Sequence, residues 1–367
     1  MAYHIPLSSP DITEAEIAAV TAVLRTPDLS LGPELKAFEA DLAKYHSVPD
    51  AVAVSSGTAG LHLALLTLGI GSGHEVIVPS FAFIAVANAV LQVGATPVFA
   101  DIDPVTLNLD PARVEDAVTP RTRALLVVHT FGVPADMDAL LSIATRHGLV
   151  LIEDACEAIG AEFDGRRAGT FGDLAVFGFY PNKQLTTGEG GAVLARDRKH
   201  AARLRSLRNQ GRSSAEWLDH HEPGYNYRLS ELACALGRAQ LVRIDEMLAM
   251  RRAAAERYSD LLSSISGLSL PSLTLPRRSI SWFVYVIKTT MNRDQVQAGL
   301  AARRIASGRY FAPIHLQPAW RNHPGSAAPL PITEAVAAST LALPFFNRIT
   351  QEQQKQITSA LAEILLS

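Results

Sequence analysis

The chain has 367 residues, 48% hydrophobic and 19% charged, with a formal net charge of −3. That length supports a buried core and two domains, and the charge balance offers no basic face for nucleic acid. Cys156 and Cys234 lie far apart in apolar stretches, as expected of two reduced thiols in a cytosolic protein. No basic segment followed by an apolar core opens the chain, so no signal peptide is expected. Residues 76–100 carry no charge over 25 positions, long enough to span a bilayer. Pro79, Asn88, Gln92, Gly94 and Pro97 interrupt them, and they divide into strand, helix and strand, so a buried βαβ segment is expected rather than a membrane span.

Residues 1–10 read as an irregular arm. Thr13 with Glu16 has the spacing of a capping box and opens a helix over 13–23. A second helix, 33–45, carries Leu35, Phe38, Leu42 and Tyr45 on one face. A strand at 51–54 runs into Ser55-Ser56-Gly57-Thr58 and a helix at 59–68. Alternation then continues: strand 75–78, helix 83–93, strand 96–100, helix 110–117, strand 123–129, helix 137–147, strand 149–152. Such near-continuous apolar strands, alternating with helices, predict a mostly parallel sheet covered on both faces. An apolar run over 174–180 stops at Pro181, and another resumes at 192–195. Between them lie Lys183 and the turn Gly188-Glu189-Gly190-Gly191.

A helix follows at 198–210, then a polar loop over 211–228, long enough to suggest function. The pattern from 229 to about 262 reads as one long helix joining two domains, 1–240 and 241–367. A strand at 281–288 and helices at 293–304, 333–341 and 351–366 complete a smaller α+β unit. His220-His221 has no partners at ligand spacing, so no metal is expected.

Ligands on parallel sheets bind beyond the carboxyl ends of the strands. The segments 55–58 and 80–83, with His129, Asp154 and Lys183, all fall at such ends. The chain has six lysines (36, 44, 183, 199, 288 and 355) against 27 arginines. Only Lys183 and Lys288 follow apolar runs, and Lys288 ends a strand of the smaller unit. No G-x-x-x-x-G-K-[ST] or G-x-G-x-x-G spacing is present, so neither a P-loop nor a dinucleotide fingerprint is available. An amine, a carboxylate 29 residues before it, a helix start with free N–H groups, and an aromatic ring are the parts that pyridoxal phosphate needs. Lys183 would form an imine with its aldehyde. Asp154 would pair with the ring nitrogen. The amides of Gly57, Thr58 and Ala59 would hold the phosphate, and Phe83 would stack on the ring.

The segments SSGTAGLHLAL (55–65), VIVPSFAFIAVANAV (76–90), HTFGVPADM (129–137), LIEDACEAIGA (151–161), FGFYPNKQLTTGEGGAV (177–193) and GYNYRLSELACALGRAQL (224–241), with an LALP turn at 341–344, occur in this order. Together they resemble the DegT/DnrJ/EryC1/StrS family of pyridoxal-phosphate-dependent sugar aminotransferases, across nearly the whole chain. The resemblance implies the type I fold, with a seven-stranded-type sheet in the large domain. It implies a cytoplasmic homodimer with shared active sites, an amino-acid donor such as glutamate, and a nucleotide-sugar acceptor. It makes Lys183 the lysine that holds the cofactor and shuttles a proton, and Asp154 its ring partner. It places Asn226 near the phosphate of the other subunit's cofactor, and Tyr310 and His315 beside the substrate; Arg228, by its position beside Asn226, is a candidate for the diphosphate.

Three positions depart from the family pattern. Gly178 stands where a phosphate-binding serine is usual, so Asn182 or a backbone amide is expected to compensate. Glu157 stands where His or Gln is common, and an acid there should repel the cofactor's phenolate unless protonated or turned away. Ala82 stands where Thr is frequent. The loop TTGEGG (186–191) resembles that of members acting at C4 of a 6-deoxy sugar; amination at C3, or of a cyclitol, is the enzymatic alternative. A dehydratase of the same family would carry histidine in place of Lys183. A regulatory homologue without turnover is the alternative from another class.

Overall fold

The computed structural model describes residues 3–212, 219–326 and 328–366. The chain opens with α1 (Glu14–Leu24) and α2 (Pro33–His46) and then alternates: β1 (Asp50–Val54), α3 (Gly57–Thr67), β2 (Glu75–Pro79), α4 (Ala85–Gln92), β3 (Thr96–Ala100), α5 (Pro111–Asp116), β4 (Thr122–Val128), α6 (Met137–His147) and β5 (Val150–Asp154). Two short strands, β6 (Glu162–Phe163) and β7 (Arg166–Arg167), precede β8 (Leu174–Gly178), β9 (Gly191–Ala195) and α7 (Arg198–Arg208). Then come α8 (Glu231–Val242), α9 (Ile244–Leu262), β10 (Leu268–Ser269), β11 (Arg278–Ser279), β12 (Tyr285–Thr289), α10 (Arg293–Ala302), α11 (Pro331–Ser339), β13 (Thr340–Leu343) and α12 (Gln351–Leu366).

The central sheet has seven strands in the order β1-β9-β8-β5-β4-β2-β3. Six run parallel, and β9 alone runs against both of its neighbours, β1 and β8. Period-two alternation sorts its side chains. Val52, Val54, Val176 and Val193 pack with α3, α4 and α7 on one face. Ala51, Ala53, Ala175, Phe177 and Leu194 pack with α2 and α8 on the other, and Leu125, Val127 and Leu151 with α6. Burial on both faces is why these strands read as continuous apolar runs. A second core unites α9, α10 and α12 with β12 and β13, and takes in Ile5 of the N-terminal arm.

The capping box at α1 is present: the Thr13 hydroxyl accepts the Ala15 N–H, and Glu16 reaches back to the Thr13 N–H. Several expectations differ from the structure, among them the strand expected over 281–288, which begins at Tyr285, and the helix expected over 333–341, which ends at Ser339. The helix expected to begin at 83 begins at Ala85, which leaves Phe83 on the connecting turn. The strand expected to end at His129 ends at Val128, and residues Thr130–Gly132 form a short 3-10 turn. The single helix expected over 229–262 is broken at Arg243, whose side chain is drawn to Glu16, Asp11 and Glu246. The LALP segment lies largely in β13, because Leu341 and Leu343 are buried by pairing with β12. Of the long polar loop, residues 213–218 lie outside the described residues.

Candidate active site

The carboxyl ends of β1, β5 and β8 open onto a cleft of about 430 Å³. Its lining includes Gly57, Thr58, Phe83, Asp154, Cys156, Glu157, Gly178, Asn182, Lys183 and Tyr310. Four segments far apart in sequence therefore deliver the lysine, the carboxylate, the helix start and the aromatic ring to one place.

At one end lies the start of α3. Ser56 caps it by accepting the Ala59 N–H at 3.1 Å. The amide of Ala59 is thereby committed, while the N–H groups of Gly57 and Thr58 have no acceptor among the described residues. They stand where the helix dipole favours an anion. The floor beside them is made without side chains. A Cβ on Gly57 would come within 2.9 Å of Cys156 Sγ, and one on Gly178 within 3.2 Å of the same atom. The thiol thus fills the gap between two glycines, and burial keeps it protonated by pushing its pKa well up.

Asp154 ends β5, buried, with Oδ1 accepting the Cys156 N–H at 3.0 Å. Lys183 sits on the connection between β8 and β9. Its Nζ lies 3.4 Å from Glu157 Oε1 and 3.9 Å from the centre of the Phe283 ring, the second a cation–π distance. Its carbonyl accepts a bond from Arg251 at 3.2 Å. Arg251 is buried and also donates to the carbonyls of Trp282 and Phe283. Burial brings its pKa down to about 10, which leaves it charged at neutral pH. Glu157 is turned: Oε2 accepts the Phe131 N–H at 2.9 Å, and Oε1 faces the lysine. Burial pushes its carboxyl up, with the Lys183 ammonium opposing.

Phe83 is 63% exposed and lies on the cleft wall. Asn182 has a buried Oδ1 that no donor reaches among the described residues. Tyr310 stacks on Phe283 at 6.1 Å and 10°; burial raises its hydroxyl, with a bond to Asn182 opposing. The TTGEGG loop folds back on its own hydroxyls. Thr186 accepts the Gly188 N–H, and Thr187 donates to the Glu189 carbonyl. A Cβ on Gly190 would come within 2.2 Å of Thr187 Oγ1. The result presents Glu189, exposed, at the cleft rim.

Other residues expected at the site stand elsewhere. His129 is fully buried behind the sheet end, where Nδ1 accepts the Ala135 N–H and Nε2 donates to Glu153. Ser80 and His315 bond to each other at 2.6 Å, away from the cleft lining. Arg228 donates to Asn209. Asn226 is exposed outside the lining, on a strap fixed by the Ser55 N–H bonding to the Tyr227 carbonyl. Lys288, expected away from the site, lies in β12 and donates to the Pro104 carbonyl. Cys156, Tyr180, Phe283 and Phe311 line the cleft without a sequence signal of their own. Only the position of Cys156 two residues beyond Asp154 could have drawn notice.

Pyridoxal phosphate fits what is present. Free amides at a helix start and a glycine floor suit its phosphate, a strand-end carboxylate its ring nitrogen, an exposed phenyl its ring face, and a primary amine its aldehyde. Among the described residues no helix is long and apolar enough to cross a membrane, and no group of three acid, His or Cys side chains is placed to hold a metal.

A model of the DegT/DnrJ/EryC1/StrS aminotransferase family matches residues 10–362. The chain is 40% identical to a GDP-perosamine synthase of Caulobacter vibrioides, over 92% of this chain and 91% of that one. It is 42% identical to a dTDP-3-amino-3,4,6-trideoxy-alpha-D-glucose transaminase of Streptomyces venezuelae, over 94% and 91% respectively. The crystal structure of S. venezuelae DesV in complex with a ketimine intermediate superposes with a TM-score of 0.92, at 40% identity and full coverage of both chains. The chain belongs to the DegT/DnrJ/EryC1/StrS family and is a sugar aminotransferase that uses pyridoxal phosphate.

Proposed function

We propose that the chain moves an amino group from glutamate to the C4 keto carbon of a nucleotide-linked 6-deoxy sugar. The observation that carries this reading is the meeting, in one cleft, of Lys183, Asp154, the α3 start and Glu189 of the TTGEGG loop. Bound pyridoxal phosphate supplies an electron sink for breaking the C–H bond beside the amine. The protein's share is positioning and proton handling. The amides of Gly57 and Thr58 bind the phosphate. Asp154 holds a proton at the ring nitrogen. Phe83 covers the ring, and Lys183 moves a proton to and from the reacting carbon. Glu189 and Tyr310 face the sugar.

Amination at C3 is the rival, favoured by the likeness to a transaminase named for a 3-amino sugar. Asn226, exposed and outside the lining of its own cleft, supports a homodimer with shared sites. The break at Arg243 supports a division near residue 240 into a large and a small domain. The test is purified enzyme with glutamate and a panel of 4-keto and 3-keto 6-deoxy sugars linked to GDP, dTDP or UDP, the products read by NMR. Borohydride should fix the cofactor on Lys183, and Lys183→Ala should lose at least about a thousandfold in rate, the joint loss of cofactor anchor and proton carrier. Amine appearing at C3 alone would overturn the C4 assignment; an undiminished Lys183→Ala would overturn the roles.

A further inference from the structure

We infer that Glu157 is a further catalytic residue, the carboxylate that takes the proton of Lys183 when its amine reacts and returns it when the amine is freed. This rests on the role of Lys183 proposed above. The step is a balanced transfer: an N–H bond of the Lys183 ammonium breaks, an O–H bond forms on Glu157, and no electrons leave the pair.

Three observations carry it. Glu157 Oε1 stands 3.4 Å from Lys183 Nζ, and both side chains are largely out of water. The acid is also built into place. Its carbonyl accepts bonds from Gln184 at 2.6 Å and Ser281 at 3.4 Å, so its backbone is pinned from the lysine's own segment and from the segment that carries Phe283. Oε2 takes the Phe131 N–H, and Phe131 sits at φ 59°, ψ 18°, a conformation uncommon for a bulky residue. The turn thus holds an uncommon backbone geometry while donating to this acid.

The charge inventory explains the device. The titratable groups facing Glu157 are Lys183, Asp154, the Cys156 thiol and the Tyr310 hydroxyl. The turn 130–132 and the segment 281–283 bring none, and Arg251 is spent on carbonyls. With Lys183 charged, Glu157 has a counter-ion. Once the amine is consumed, a buried carboxylate would face Asp154 without one, which is costly. Protonation removes that charge, and burial already inclines Glu157 towards it. Protonated, Glu157 no longer repels a phenolate, which answers the objection to an acid at this position.

The experiment uses cofactor-free wild type, Glu157→Gln and Glu157→Asp, and follows trinitrobenzenesulfonate modification of Lys183 by peptide mapping from pH 5 to 10. A carboxylate beside the amine favours the unreactive ammonium over the free amine that the reagent attacks. Glu157→Gln should therefore react at least about tenfold faster than wild type at acidic and neutral pH, with Glu157→Asp, its carboxylate drawn back, between them. If Glu157→Gln fails to fold, Glu157→Asp against wild type decides. Superimposed profiles overturn the inference. Borohydride fixation of pyridoxal phosphate on wild-type Lys183 separates the two readings. Without fixation the role of Lys183 falls; with fixation and superimposed profiles, only that of Glu157 falls.

Discussion

Replacing Gly178 with serine restores the residue that the family resemblance leads one to expect, and the structure says it should fail in this chain. The new Cβ would lie 3.2 Å from Cys156 Sγ and 3.4 Å from its Cβ. The Sγ contact is too close by a few tenths of an ångström, and the Cys156 backbone is held in place by its N–H bond to Asp154. Overpacking of this degree costs about 1–2 kcal/mol. Cys156→Ala alone removes one sulfur from a part-buried site and costs about 1 kcal/mol. The two changes together exchange a thiol for a hydroxymethyl in one gap. The double variant should therefore be more stable than the sum of the singles by about 1–2 kcal/mol. It should also bind pyridoxal phosphate more tightly than Cys156→Ala, since a hydroxyl at the proposed phosphate end adds a charge-assisted bond. Urea unfolding of the four proteins gives the coupling, and fluorescence titration with the cofactor gives the affinities. Additive costs would show that the thiol is not what keeps this position a glycine.

Arg251→Met should cost about 2–4 kcal/mol in urea unfolding, because it strips buried carbonyls of Lys183, Trp282 and Phe283 of their donor. Arg251→Lys should not recover it, since a point-like ammonium cannot reach three carbonyls at once. Glu16 offers a pH test. Burial raises its carboxyl, but bonds from Thr13, Arg243 and Gln240 outweigh this and hold it at about 2. A folded value below the unfolded one stabilises fully above about pH 4.5 and fades as pH falls towards 2. Glu16→Gln should be less stable by about 1–3 kcal/mol at pH 7, with a gap that narrows below pH 4.5 in thermal melts; a gap constant with pH would refute the assignment.

The parts of this molecule legible in its sequence are those encoded locally. Strand β3 and helices α6 and α12 match their expected bounds because alternation, caps and breakers all agree there. Lys183, Asp154 and the α3 start could be read because strand ends and helix starts announce themselves. What escaped was set by distant partners. His129 shares its strand-end position with Asp154, yet Glu153 holds it behind the sheet, as it also holds the amides of Gly169, Phe171 and Gly172. Cys156 reads as another apolar core residue until Gly57 and Gly178 are seen on either side. Arg251 looks like a solvent-facing helix arginine until Trp282 and Phe283 arrive from 31 and 32 residues away. The reversed course of β9 has no local signature, because an apolar five-residue strand reads the same in either direction.

That reversed strand also sets the order in which a nascent chain can become an enzyme. β1 pairs only with β9: Val54 meets Gly191 and Asp50 meets Ala195, 137 and 145 residues later. Until the ribosome has released residue 195, the strand leading into the α3 start can pack against α2 and α3 but has no strand to pair with. Lys183 lies in the connection that β9 closes. Anchor and anion cradle are therefore completed in one late, long-range event, slow by the entropy of closing so large a loop.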